Sequence, residues 1–479
     1  MEHALTWTIV ELSSKLRSRA ISAVETVAAH LEQIAAHNVA GQGIHAVIEV
    51  NAEALLVAEA LDREAAKGYW RGPLHGIPIL VKDNLDTADT MQTTAGSIAL
   101  AGHHAKEDAT VVRRLREQGA IIIGKANLTE WANFLSDRMP NGYSSRGGQT
   151  KNPYGPGVFD VGGSSAGSGA GVAAGFAPAA IGTETSGSIL SPASSNSLVG
   201  VKPTVGLVSR HGIIPIAMSQ DTAGPMTRSV ADAALLLAVM AGPDPKDVST
   251  HGVQVPSLAM RSSLSQGGLR GTRIGVPRDY DNELEDEERI VYRKALADLE
   301  SLGAVLVECT LPTSFTGGID VLIEEFPVAL NAYLASVEPW LAVHSLADVM
   351  AFNARNADKA LRYGQAIFEM AAARAGDKLA SGSYIRARLA DLHEARTNGI
   401  DKALNEHRLD ALAFANNLGA AIAAKAGYPS ITVPAGYTSG GKPVGLTLTS
   451  GAFSEWKLLQ LAYDYEQATG HRRPPVLAE

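Results

Sequence analysis

Three separated segments carry side chains that could do chemistry together. Lys82 directly follows the apolar run Ile77-Pro78-Ile79-Leu80-Val81. A lysine there is ordinarily a charge leaving a strand, but in α/β sheets ligands bind at the carboxyl ends of parallel strands. A partly desolvated amine in such a place has a lowered pKa and can act as a neutral base. Downstream lie Val161-Gly162-Gly163-Ser164-Ser165-Ala166-Gly167 and Gly182-Thr183-Glu184-Thr185-Ser186-Gly187-Ser188-Ile189. Each places serine beside glycine, which frees the backbone, and a small-residue helix separates them. A serine nucleophile, a relay hydroxyl and a nest of amide N–H donors would need that arrangement.

Other patterns are better read as structural. Gly163-Ser164-Ser165-Ala166-Gly167 matches the G-x-S-x-G elbow, which requires a buried strand directly before it. The preceding Asn152-Pro153-Tyr154-Gly155-Pro156-Gly157 is not a central strand, because proline donates nothing to the ladder. Gly169-Ala170-Gly171-Val172-Ala173-Ala174 matches a dinucleotide fingerprint but lacks the strand before it and the acidic residue about twenty positions on. Its small residues suit close helix packing. Ser454-Glu455-Trp456-Lys457 is expected to cap and open an amphipathic helix. His75, in a turn between Leu74 and Gly76, reads as a structural hydrogen-bonding residue. No phosphate-cradling G-x-x-x-x-G-K-[ST] loop occurs, and no His, Asp or Glu cluster has metal-ligand spacing.

Composition narrows the classes. The chain has 479 residues, 46% of them hydrophobic and 19% charged, which fits a folded protein with a large core. A net charge of −9 gives no basic footprint for nucleic acid. The single cysteine, Cys309, excludes an internal disulfide framework and a thiolate metal cage. The longest uncharged run, between Asp160 and Glu184, is rich in Gly, Ser and Ala and broken by Pro178, so it reads as close-packed soluble chain rather than a membrane span. The N-terminus shows no export signal, and a cytoplasmic protein without membrane attachment is expected.

The elements that must position these residues follow from pattern. Thr8 with Glu11 and Ser22 with Glu25 form capping boxes, and Val24, Val27, Leu31 and Ile34 recur at helical spacing. A strand at Ala46-Val47-Ile48, a charged helix from about Ala52 to Lys67, a strand from Ile77 to Val81, a helix holding Val111, Val112 and Leu115, and a strand at Ala120 to Ile123 follow in order. This β–α–β alternation argues for an α/β fold: one large domain over residues 1–479 with a twisted mixed, mostly parallel sheet covered by helices on both faces. Residues 138 to 250 are dense in Gly, Ser, Thr and Pro. From about Glu283 to Leu404 the chain becomes helical, with a break around Thr313 to Gly318, and reads as a substrate cap. Strands return at Ser430 to Val433 and Val444 to Leu448, before a last helix ending near Thr469.

GPLHGIPILVKDN, GGSSAGSGAG, GTETSGSILSPAS and VGVKPTVGLVSR, in this order, resemble the amidase signature family. GGQTKNP, SQDTAGPM and AGYPSITVPAG resemble its bacterial peptide-amidase branch most. The resemblance runs over nearly the whole chain, weakest between about Val253 and His407. It implies that Lys82 is the catalytic lysine, Ser164 the bridging serine in a cis peptide, and Ser188 the nucleophile. The N–H groups of Thr185, Ser186, Gly187 and Ser188 would form the oxyanion hole, with Ser165 as a supporting hydrogen-bond partner. Two departures stand out: Glu184 and Leu190 replace a frequent Asp and Arg, so the usual carboxylate–arginine support of the loop cannot form. Ser186 also replaces a frequent glycine.

The activity implied is hydrolysis of a carboxamide, a peptide C-terminal amide or a small-molecule amide, through a serine acyl-enzyme. No metal or cofactor is required, and a monomer or homodimer is expected. Ala132, within Trp131-Ala132-Asn133-Phe134, would line the acyl pocket by analogy, as would Glu325-Phe326 and Asn416-Asn417-Leu418-Gly419. Two alternatives stay open: an amidotransferase A-type subunit making ammonia for a partner, and a non-catalytic small-molecule binding protein.

Overall fold

The computed structural model describes residues 5–255, 264–313, 318–374 and 379–477. The expected break around Thr313 to Gly318 falls largely outside them. Both capping boxes form: Thr8 and Glu11 open the helix Ile9–Arg17, and Ser22 and Glu25 open Ala23–His37. At the last helix, Glu455–Thr469, the expected cap is absent, because the Ser454 hydroxyl donates instead to the Gly451 carbonyl (2.5 Å).

The strands in chain order are β1 (Val47–Val50), β2 (Pro78–Lys82), β3 (Ile121–Ala126), β4 (Tyr143–Ser144), β5 (Gly148–Gln149), β6 (Ala179–Glu184), β7 (Val199–Lys202), β8 (Thr222–Thr227), β9 (Arg273–Pro277), β10 (Val305–Cys309), β11 (Ala411–Ala415), β12 (Ser430–Tyr437) and β13 (Pro443–Thr449). β4 and β5 form a small hairpin; the other strands build one eleven-stranded sheet in the order β1-β3-β2-β6-β8-β7-β12-β13-β11-β9-β10. The sheet is mixed, and the chain is a single large α/β domain. Its parallel pairings lie in two groups, β3-β2-β6 and β11-β9-β10. The neighbours between and beside them pair antiparallel. Crossover helices make the parallel groups, as the β–α–β pattern implied. The short turn from Tyr437 to Pro443 makes β12 and β13 a hairpin, which alternation of helices and strands does not reveal.

The main core runs along both sheet faces, from Ile79, Leu80 and Val81 to Leu446 and Leu448. The all-buried helix Ala166–Ala173 packs tightly enough that a Cβ on Gly167 would sit 2.3 Å from the Ala46 carbonyl oxygen, which explains the small-residue run. A second core gathers Ile323, Phe326 and Phe368 from the helices Asp320–Leu334 and Ala366–Ala373 against Trp131, Phe134, Ile214 and Ile216. Among the described residues no helix is long and apolar enough to cross a membrane.

Candidate active site

β2 and β6 lie parallel and adjacent, so their carboxyl ends bring Lys82 and Thr183 to one edge of the sheet. Lys82 is fully buried. Its Nζ lies 2.8 Å from Ser164 Oγ, 2.8 Å from Thr183 Oγ1 and 3.2 Å from the Thr183 carbonyl oxygen. These acceptors satisfy an ammonium, whereas a neutral amine keeps two donors and one lone pair that can receive a proton. Burial pushes the Lys82 pKa down to about 7, with the Asp221 and then the Glu184 carboxylates pulling the other way. The Asn84 amide donates to Thr183 Oγ1 at 3.0 Å and fixes that hydroxyl.

Ser164 is joined to Gly163 by a cis peptide bond and is fully buried. Ser165 ties the segments together. Its N–H donates to the Ser188 carbonyl (3.2 Å), and its hydroxyl donates to the Thr183 carbonyl (3.0 Å) and accepts from the Thr183 N–H (3.2 Å). Ser188 is 8% exposed and follows Gly187, whose φ of +83° suits glycine. A Cβ at Gly187 would stand 3.2 Å from Asn417 Nδ2, so the Asn416–Gly419 turn borders this loop. Thr185 is buried and Ser186 exposed. Thr185 Oγ1 donates to Asp221 (2.5 Å), whose other oxygen accepts the Ile216 and Ala217 N–H groups (2.8 and 2.9 Å). Burial pushes Asp221 up to about 6.

The bracing left open by Leu190 is visible. Glu184 turns its carboxylate into the loop it precedes, where Oε2 accepts the Ile189 N–H (2.7 Å) and the Leu190 N–H (3.0 Å). Backbone donors thus meet the carboxylate in place of the family's frequent arginine.

A cavity of about 210 Å³ opens beside this constellation, with Asn84, Ala132, Thr183, Thr185 and Asp221 among its lining. Its wall carries Ile213, Ile214, Pro215, Ile216 and Met218, and Arg210, His211, Lys246 and Asp247 also face it. The Arg210 guanidinium is held by Asp247 (2.9 and 2.6 Å) and Lys246 by Glu107 (2.5 Å), so these cations are paired. Ala132 reaches the cavity from a left-handed run, Trp131 to Asn133, with φ of 52°, 55° and 69°. Trp131 and Phe134 point instead into the second core, against Phe368 and Phe326. Glu325 is a tether: fully buried, it accepts the Ser219 N–H (2.9 Å) and the Tyr384 hydroxyl (2.8 Å). His75 is structural, accepting the Arg71 N–H and bonding to the Leu61 carbonyl. Among the described residues no group of three His, Cys, Asp or Glu is arranged to hold a metal ion.

Sequence reasoning passed over Thr183, Asn84 and Asp221. One signal was present: Asp221 is a lone acid within the otherwise uncharged Gly212–Met226 stretch.

The Amidase family profile matches residues 25–424. The chain is 43% identical to native peptide amidase from Stenotrophomonas maltophilia, with a TM-score of 0.92 over 98% of this chain and 99% of that one. It is 40% identical to a probable amidase of Arabidopsis thaliana, over 98% of this chain and 91% of the relative. It is also 34% identical to the A-type subunit of glutamyl-tRNA(Gln) amidotransferase from Ralstonia pickettii, over 98% and 99% of the two chains. The chain belongs to the amidase signature family and is an amide-hydrolysing enzyme.

Proposed function

We propose that this enzyme hydrolyses peptide C-terminal amides or small carboxamides to a carboxylate and ammonia or amine, through a Ser188 acyl-enzyme. The observation that carries the reading is the buried Lys82 Nζ, 2.8 Å from Ser164 Oγ in the segment that also holds Ser188 through Ser165. Neutral Lys82 takes a proton from Ser164, which takes one from Ser188 as its oxygen attacks the amide carbon. The N–H groups of Thr185 to Ser188 hold the oxyanion; losing one such donor costs ~10²–10³ in rate. The proton returns through Ser164 to the departing nitrogen, since an amide anion is too basic to leave unprotonated. Water then repeats the sequence on the acyl-enzyme.

Ala132 and the isoleucine-rich wall receive the acyl group, and paired cations favour a neutral substrate over a free carboxylate. Within the cap read from about Glu283 to Leu404, the helices between 320 and 392 cover the site, tethered to the Ser219 loop through Glu325, while the helix Asp286–Ser301 and β10 belong to the sheet layer. The likeness to peptide amidase supports a peptide amide. The likeness to the A-type amidotransferase chain supports the second reading, ammonia production for a partner. Assaying the purified chain alone on a peptide amide and on simple amides separates them: ammonia release without other subunits, lost in Ser188→Ala, is the expected result. No release from any amide until a partner is supplied would favour the second reading.

A further inference from the structure

Three buried polar atoms behind the Ser188 loop have no hydrogen-bond partner among the described residues: Lys202 Nζ, Glu184 Oε1 and Glu455 Oε2. Their side chains come from three elements and are at most 1% exposed. Glu184 ends β6 and Lys202 ends β7. Both strands are antiparallel to β8, which lies between them, so they run the same way and end at the same edge of the sheet. Two strand spacings, about 9.5 Å, separate the two backbones. That is within reach of a lysine and a glutamate extended toward one another. Glu455 opens the C-terminal helix, and its Oε1 accepts the Thr204 N–H at 2.7 Å, two residues beyond Lys202. Both carboxylates act on the Lys202 ammonium, Glu184 more strongly.

A lysine in a dry core is costly unless opposite charge offsets it, and an apolar side chain of similar length would fill the same space. What lies beyond Lys202 gives the charge a purpose. Glu184 has one oxygen free toward the interior and uses the other to hold the two amides that follow the nucleophile. With leucine at 190, the loop itself offers this carboxylate no cation, and Lys202 is a lysine that faces it from the sheet.

We propose that Lys202 is a positioning residue for the reaction: its ammonium, facing Glu184 and Glu455, holds the Glu184 carboxylate on the two amides after the nucleophile and so keeps the Ser188 turn fixed. This rests on Ser188 being the nucleophile. Lys202 faces Glu184 from β6 and Glu455 from the last helix; Lys82 lies across β6 on β2, and Asp221 directly precedes β8, the strand between β6 and β7. Burial holds the Lys202 pKa down to about 8 against these two carboxylates. Activity then needs Lys82 neutral and Lys202 charged, so it rises as pH passes about 7 and falls as pH passes about 8.

The test is the pH profile of Ser188 sulfonylation by phenylmethanesulfonyl fluoride, followed by intact mass, alongside kcat on a peptide amide. In Lys202→Met the labelling rate falls at least ~10-fold and the alkaline limb disappears, while the rise from Lys82 stays. Lys202→Arg moves the alkaline limb beyond pH ~10, since a guanidinium keeps its proton there. Glu455→Gln removes one supporting carboxylate and moves the limb to lower pH. The last two variants decide the matter should Lys202→Met fail to fold. A structural lysine would change the amplitude and leave the limb in place. A wild-type alkaline limb unmoved in folded Lys202→Arg and Glu455→Gln overturns the role of Lys202. Failure of wild-type Ser188 to react overturns the Ser188 acyl-enzyme reading beneath it.

Discussion

Lys82 is asked to take a proton at neutral pH, which an ordinary lysine does poorly. Full burial at the end of β2, with no carboxylate of the described residues in direct contact, depresses its pKa to about 7. The sign is set by desolvation: below that pH the folded protein holds an ammonium and the base is occupied, and above it the amine is free. The rate of Ser188 acylation should therefore rise from pH 6 to 7.5 in proportion to the neutral fraction, measured as single-turnover kinetics on an amide. A rate flat down to pH ~5 would contradict the role of Lys82. Lys82→Ala should lower kcat by ~10² or more, as loss of a general base does. The lysine, Ser164 and Ser188 were legible in the sequence because each sits in a local motif. Thr183 and Asn84, which orient Lys82, were not, since their contacts span about a hundred residues and have no local signature.

At the scale of elements, two loops decide the site. Gly187 adopts a left-handed φ, and Asn417 closes over it. Gly187→Ala should cost ~1–3 kcal/mol of strain, or shift the loop to avoid it. The shift would appear as a lowered kcat with a small change in melting temperature. The second loop, from Arg210 to Asp221, forms the apolar wall and is tied to the helical layer by Glu325. Glu325→Ala leaves the Ser219 N–H and the Tyr384 hydroxyl without their buried acceptor, at ~1–3 kcal/mol. Steady-state kinetics should show KM rising more than kcat falls, because the binding wall loosens while Lys82 and Ser164 stay in place. Helix starts such as Ser22 with Glu25 were readable because a cap is complete within four residues. The brace of Glu184 on Ile189 and Leu190 was not, because the family pattern pointed to an arginine and backbone donors carry no side-chain signal.

For the whole molecule, the mixed sheet matters because it gathers distant segments at one edge: Lys82 from β2, Thr183 and Glu184 from β6, and Lys202 from β7. The α/β class was legible from alternating elements, but the strand order was not, because pairing between β7 and β12 joins segments more than two hundred residues apart. The net charge of −9 gives no overall attraction to a polyanion. Titration with bulk tRNA at 0.15 M salt should produce no mobility shift, and added tRNA should leave amide hydrolysis unchanged. A tRNA-dependent rate would instead favour the amidotransferase reading.

The central claim, a serine acyl-enzyme at Ser188, is tested most directly by mixing the protein with a slowly deacylating ester of a peptide acid and mapping the adduct by mass spectrometry. The acyl mass should sit on Ser188, form at neutral pH and vanish in Ser188→Ala with the fold retained by circular dichroism. An adduct on another residue, or undiminished amide hydrolysis by Ser188→Ala, would contradict it.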